Sequence, residues 1–277
     1  MFENILGHDN VKKQLMSDFN RQEVSHAYLF LGTEGIGKKS LAIEFAKKLL
    51  NTNNLETCVD YKYIERLPDK KEIIVEQVRN KIVNDVYVAP ATGSYKVYII
   101  NDAHLLNMAA QNALLKTLEE PPEYVVIILI TNNEKALLTT VLSRVKKVSF
   151  SNLCDSDILA ILKDKYETEI DESKLEYANG SLKVALELSK ADDNKYSKID
   201  ELYKCYRKND MLGAIKSIEH VSFKDDETFN YIQYLFMKDK NYDKIPIIEN
   251  ARNRMKQNAN EDIVKQALNI YIMKGGR

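Results

Sequence analysis

Leu31-Gly32-Thr33-Glu34-Gly35-Ile36-Gly37-Lys38-Lys39-Ser40 follows the apolar run Ala27 to Leu31 and precedes a helical pattern that opens at Leu41. A strand, a glycine loop and a helix start, in that order, are the setting in which G-x-x-x-x-G-K-S/T makes an anion cradle. Backbone N–H groups and a helix N-terminus converge there on one point. Gly32, Gly37 and Lys38 keep the spacing, with Gly35 between the outer glycines. The last position departs from it. Lys39 stands where the motif places a hydroxyl on Mg²⁺, and Ser40 comes one residue later, about 100° further round a helix. By itself the loop also fits an ordinary strand-to-helix turn, so the rest of the chain must decide between a phosphate site and the remains of one.

Outward from the loop, the pattern is strand and helix in alternation. Val11, Leu15 and Phe19 keep helical spacing after Gly7-His8-Asp9, with Asp9 as the expected N-cap. Leu41, Phe45 and Leu49 give the helix after the loop one apolar face, and Asn51 to Asn54 stop it. A short strand is expected at Ile73 to Val75, running into a helix over Glu76 to Asn84. Lys96 to Ile100 and Val125 to Ile130 are continuous apolar runs of the kind buried on both faces of a parallel sheet. Between them a helix from Met108 to Leu118 ends before Pro121-Pro122. Glu134 to Leu142 reads as helix and Lys147 to Phe150 as the last strand. The fold class is therefore doubly wound α/β, with its sites at the carboxyl ends of the strands.

After Phe150 the strand signal disappears. Asp155 to Tyr166, Lys174 to Tyr177 and Leu182 to Leu188 read as short helices, broken at Gly180-Ser181. Ala191-Asp192-Asp193-Asn194-Lys195 is the most polar, least periodic stretch and the expected second boundary. From Ser197 to Met273 the pattern predicts a bundle of about five helices whose Tyr and Phe residues fill its core. The expected domains are 1–150, 151–192 and 193–277.

The totals narrow the function. A net charge of −1 with 29% charged residues does not advertise a nucleic-acid binder, so any basic surface must be local. Cys58, Cys154 and Cys205 form no C-x-x-C pair, which argues against a disulfide framework and a structural zinc. No apolar run approaches the roughly 18–20 residues of a membrane span, and Met1-Phe2-Glu3-Asn4 does not open a signal peptide. A soluble protein of the cytoplasm is expected.

A hydrolase built on such a loop also needs an acid for the metal and a group that orients water. Asn101-Asp102-Ala103-His104 closes the second core strand, at the correct end of the sheet. Asn101 is uncharged, Asp102 is a methylene shorter than glutamate, and an ammonium from Lys39 would repel a divalent ion. His8, His26 and His220 share no metal-ligand or relay spacing, and Ser40 has no partner base. Asp102 and His104 also fit plain capping and surface roles.

Asn112-Ala113-Leu114-Leu115-Lys116-Thr117-Leu118-Glu119-Glu120-Pro121-Pro122, the strand to Thr131 and then Leu142-Ser143-Arg144-Val145 resemble the sliding-clamp loader branch of the AAA+ ATPases. Within it they are most similar to the delta-prime class of bacterial DNA polymerase III subunits. Gly7-His8, Ser25 to Phe30, Ala178 to Lys183 and Asn258-Ala259-Asn260 extend the resemblance along the chain. It implies an AAA+ α/β domain, a small helical lid and an all-α collar that joins a hetero-oligomeric ring. By position Gly32 to Lys39 is the Walker A loop, Asn101-Asp102 is Walker B, Thr131-Asn132 is sensor 1, and Lys183 replaces the sensor 2 arginine. Ser-Arg-Val at 143–145 stands for Ser-Arg-Cys, and the four-cysteine zinc module is missing.

The resemblance implies a subunit that does not hydrolyse ATP itself, requires no cofactor and carries no zinc. ATP or ADP binding at the altered loop stays an open alternative. Arg144 is then an arginine finger for a neighbour's ATP, the alternative being a salt-bridging surface arginine. The implied partners are the gamma/tau ATPase subunits and the delta subunit, and through the complex the sliding clamp and primed DNA. An active gamma/tau-type ATPase and a small-molecule P-loop phosphotransferase are the rival readings.

Overall fold

The runs that alternate along the chain come together as one parallel sheet in the computed structural model, which describes residues 2, 5–190 and 195–274, the side chains at 172, 173 and 274 excepted. The strands are β1 (Ala27–Leu31), β2 (Tyr61–Ile64), β3 (Lys96–Ile100), β4 (Val125–Thr131) and β5 (Lys146–Ser149). Their order is β2-β3-β4-β1-β5, every neighbouring pair parallel. Every residue of β3 and β4 is buried. That is why both read as unbroken apolar runs rather than alternating ones.

Register fixes the functional edge. Leu31 lies opposite Thr131 and Ser149, so β1, β4 and β5 end nearly level. Ile100 pairs with Leu129 and with Ile64, which places Asn101 beside Glu65 at the same edge. Glycine loop, Asn101-Asp102 and Thr131 thus share the carboxyl end of the sheet.

Alternate β1 residues face opposite layers. Tyr28 and Phe30 pack with Leu15 of α1 (Asp9–Asn20) and with Leu41 and Phe45 of α2 (Lys38–Leu49). Ala27 and Leu29 belong to the other layer, with α3 (Val75–Val78), α4 (Met108–Glu119) and α5 (Thr139–Leu142). Each fully buried side chain of this size contributes about 1.5–3 kcal/mol relative to exposure, so the two apolar layers hold the sheet in place.

Several local expectations are corrected. Ile73 to Val75 is not a strand; Ile73 makes one parallel bridge to Leu106, and Val75 begins α3, followed by a π-helical turn over Arg79–Val83. The edge strand is instead β2, in the short insert after α2. Glu134 to Leu142 is interrupted, with a 3₁₀ turn at Glu134–Ala136 before α5. Asp9 lies inside α1, whose cap is His8 in the left-handed region at φ 57° with no side-chain cap bond.

The chain divides into two units, Met1–Ile161 with Gly180–Lys183, and Leu162–Asn179 with Val184–Arg277. The first carries the sheet, most of α6 (Asp155–Tyr166) and the start of α8 (Leu182–Ser189). The second carries α7 (Glu172–Ala178) and the helices α9 (Lys195–Arg207), α10 (Met211–Glu219), α11 (Asp226–Lys238), α12 (Ile245–Lys256) and α13 (Glu261–Lys274). Of the boundary expected at Ala191 to Lys195, residues 191–194 lie outside the described residues. Aromatic residues fill the helical unit as expected. Tyr196, Phe229, Tyr231 and Phe236 are buried, and the rings of Tyr196 and Tyr231 meet edge to face at 4.9 Å. Their hydroxyls find carboxylates, Tyr196 on Glu227 at 2.6 Å and Tyr231 on Asp200 at 2.8 Å, which removes the cost of burying them. No helix among the described residues is long and apolar enough to cross a membrane.

Candidate functional site

The cradle begins where β1 stops. A Cβ on Gly32 would lie 2.8 Å from the Phe150 carbonyl oxygen, so the chain can turn there only without a side chain. Gly35 and Gly37 have φ of 79° and 99°, a region that other residues enter with strain. Gly37 caps α2, no side chain bonds to its free N–H groups, and no acid lies in its first turn. That leaves the positive end of the helix open to an anion. Lys38 is buried and its Nζ donates to the carbonyls of Gly32 at 2.6 Å and Thr33 at 2.5 Å. Burial lowers its pKa, opposed by the nearby charges of Asp102 and Glu34.

The segment after Gly180 closes over this loop. Ser181 Oγ donates to Glu34 O at 2.9 Å, and Lys183 Nζ pairs with Glu34 Oε1 at 2.7 Å. A Cβ on Gly35 would come within 2.5 Å of both Ser181 Oγ and Lys183 Cβ, so the glycine is required by close approach as well as by φ. Thr33 Oγ1 donates to Asn152 Oδ1 at 2.8 Å. From the other side, His8 Nε2 lies 2.6 Å from Ile36 O, and its ring meets Phe150 edge-on. Burial lowers the His8 pKa, against the carbonyl, and since a carbonyl oxygen only accepts, Nε2 is the donor of this bond.

The two positions after Lys38 behave differently. Lys39 is exposed and reaches β2, with Nζ 4.7 Å from the centre of the Tyr63 ring and 3.8 Å from Glu65 Oε2. Tyr63 donates its hydroxyl to the same Glu65 oxygen at 3.1 Å. Ser40 is exposed, turned to solvent one step further round α2. Asn101 Nδ2 donates to Asp102 Oδ2 at 2.8 Å, and Asp102 sits in the left-handed region at φ 50°. The Thr131 hydroxyl bonds with the backbone of Asn133 and lies 3.4 Å from His104 Nδ1, while Asn132 is exposed. The structure thus brings together Gly32 to Lys38, Lys183, Asn101, Asp102 and Thr131. It does not bring His26 or His220 to them: His26 precedes β1, and His220 closes α10 in the helical unit.

Arg144 stands apart, just past α5. Nη1 donates to Thr140 O at 2.7 Å and Ser143 Oγ at 3.2 Å, while Nη2 pairs with Glu119 Oε1 at 2.9 Å. Its side chain keeps 33% of its surface in solvent. Sequence reasoning missed two residues of α4 that set this corner. Glu119 is one. Gln111 is the other, buried, donating from Nε2 to Leu106 O and Ala136 O and accepting from Leu138 N at 2.7 Å. The approach to α5 therefore hangs from α4. A glutamine inside an apolar helix face was the available signal, since such an amide must find partners when buried.

A glycine cradle at the carboxyl edge of a parallel sheet, with polar residues from the next strands level with it, has the form of a P-loop site. The chain belongs to the family described as DNA polymerase III, delta subunit, whose model matches residues 7–154. It is 32% identical over 210 residues to DNA polymerase III subunit gamma of Buchnera aphidicola subsp. Schizaphis graminum, an alignment that covers 68% of this chain and 57% of that one. With DNA polymerase III subunit tau of Bacillus subtilis it shares 33% identity over 207 residues, covering 68% of this chain and 37% of the other. The chain thus spans about half or less of the length of these relatives. A gamma-subunit-related protein of Thermotoga maritima has the same fold, with a TM-score of 0.64 at 18% identity over 95% of this chain and all of that one.

Proposed function

We propose that the chain is a non-hydrolysing, delta-prime-like subunit of the clamp loader of a bacterial replicative DNA polymerase. The observation that carries the reading is the place of Lys39, whose half-exposed ammonium lies beside Tyr63 and Glu65 where the motif has a metal-binding hydroxyl. The first Walker B position is an amide bonded to its own neighbour. This donor set does not fit Mg²⁺, so no hydrolytic step runs through it. The glycine turn and the open N-terminus of α2 suit an anion, but ATP or ADP would have to draw Lys38 off the Gly32 and Thr33 carbonyls, so any nucleotide held there would be a weak, structural ligand. The three free cysteines are dispersed among the described residues, so they do not fit a four-cysteine zinc module.

In this reading residues 1–150 are the AAA+ domain, 151–192 the lid and 193–277 the collar of a hetero-oligomeric ring in the cytoplasm. Arg144 reaches the ATP bound by an adjacent gamma/tau-type subunit, with the delta subunit elsewhere in the ring. A trans arginine of this kind is worth about 10³–10⁵ in rate, which explains how a chain without its own hydrolysis site remains necessary. The ring then acts on the clamp and primed DNA.

A gamma/tau-type ATPase is the second reading, favoured by the names of the similar curated chains. The isolated chain separates the two. Incubated with ATP and Mg²⁺, it is expected to show no turnover above a Lys38→Ala control, and any nucleotide binding should not depend on Mg²⁺. Metal-dependent turnover lost in the control would reinstate the ATPase.

A further inference from the structure

Arg144 is held by more than its own turn. The guanidinium has five N–H donors. Thr140 O, Ser143 Oγ and Glu119 Oε1 take three of them, and the remaining two lie on a side chain that is one-third exposed. Ser143 Oγ also donates to Thr140 O at 3.1 Å, so the acceptors on the Nη1 side are tied to each other. Glu119 differs from these local partners: it is the last residue of α4, 25 positions earlier in the chain and immediately before Glu120-Pro121-Pro122. The prolines fix the backbone just beyond it. Buried Gln111 ties the same helix to residues 136 and 138 on the approach to Arg144.

We propose that Glu119 is a positioning residue for Arg144, steadying the guanidinium through Nη2 so that its two remaining N–H groups meet a polyphosphate bound by the neighbouring subunit. This assignment rests on the reading of Arg144 as an arginine that acts in trans. A planar, permanently charged fork gains most from such steadying, because its bonds to phosphate oxygens are directional. The carboxylate is itself half exposed and the guanidinium one-third exposed, so the pair is not sealed from water. It orients the cation without withdrawing it from a partner.

The test is ATP turnover by the reconstituted complex with clamp and primed DNA. Replacing Glu119 by Ala should lower kcat about tenfold, less than the 10²-fold that a 1 Å misplacement can cost, while KM for ATP stays constant because the neighbour's cradle binds it. Glu119→Gln, which keeps an acceptor oxygen, should recover most of the rate. Adding Glu119→Ala to Arg144→Ala should cost nothing further. An unchanged thermal midpoint of the isolated variant shows that it has folded. A normal kcat for Glu119→Ala beside an impaired Arg144→Ala overturns the assignment of Glu119 alone. So does a Gln variant as slow as the Ala variant, or an additive loss in the double variant. A normal rate for Arg144→Ala removes the trans reading, and the role of Glu119 falls with it.

Discussion

Lys38 and Arg144 are two cations of the same α/β unit that bond to backbone carbonyls, and they are used in opposite ways. Lys38 is 7% exposed, turned onto the Gly32 and Thr33 carbonyls of its own loop, and its charge is disfavoured by burial. The Arg144 side chain is 33% exposed, and its guanidinium divides its bonds between its own turn and Glu119. Around Lys38 the structure is closed by Ser181, Lys183 and His8. Arg144 is braced by Thr140, Ser143 and Glu119 and still keeps a third of its side chain in solvent. A charge satisfied by its own loop stabilises that loop, whereas a braced charge at the surface is available to another molecule.

That contrast can be broken most forcefully at Gly35. Gly35→Ala combines a strained φ with a Cβ driven into Ser181 and Lys183, and is expected to destabilise the chain by about 2–3 kcal/mol in denaturant unfolding. A change below about 0.5 kcal/mol, the usual range for surface substitutions, would mean that the loop is not held as described. The bracket behind Arg144 comes next. Gln111→Leu leaves two carbonyls and one N–H without their buried partner and should cost about 1–3 kcal/mol.

Lys183→Ala should cost less than about 1 kcal/mol, since its pair with Glu34 is more than half exposed on both sides. Its effect should shrink further in high salt; a large, salt-insensitive loss would argue against an exposed ion pair. The smallest effect belongs to His8. Its folded pKa is lowered, so the unfolded chain binds a proton more readily. Stability from this group is complete above the ordinary histidine range near 6.5 and is lost as pH falls from there toward the folded value. Thermal midpoints measured from pH 7.5 downward should therefore fall more for the wild type than for His8→Asn, and parallel curves would remove His8 from the account.

Much of this was legible in the sequence. β1, β3 and β4 are continuous apolar runs because both of their faces are covered, and the glycine loop declared its strand-to-helix context. The edge was not legible. Tyr61-Lys62-Tyr63-Ile64 is short and only Ile64 is buried, so burial left no period to read, and the apolar pair at Ile73-Ile74 competed for the assignment. Missing β2 hid the partners of Lys39, since Tyr63 and Glu65 reach the cradle only through pairing with β3. The motif that contains Glu119 was recognised, but its bond to Arg144 depends on how α4 and α5 pack, which local periodicity does not encode. Arg144 itself was found by resemblance and Glu119 by geometry.

The most direct test is ATP turnover, stimulated by clamp and primed DNA, in a complex that carries Arg144→Ala. If Arg144 acts in trans as proposed, hydrolysis at the neighbouring subunit's site falls by at least about 10³-fold, the lower end of the range for a trans arginine, with the isolated chain as stable as the wild type. Turnover equal to that of the unaltered complex would contradict it.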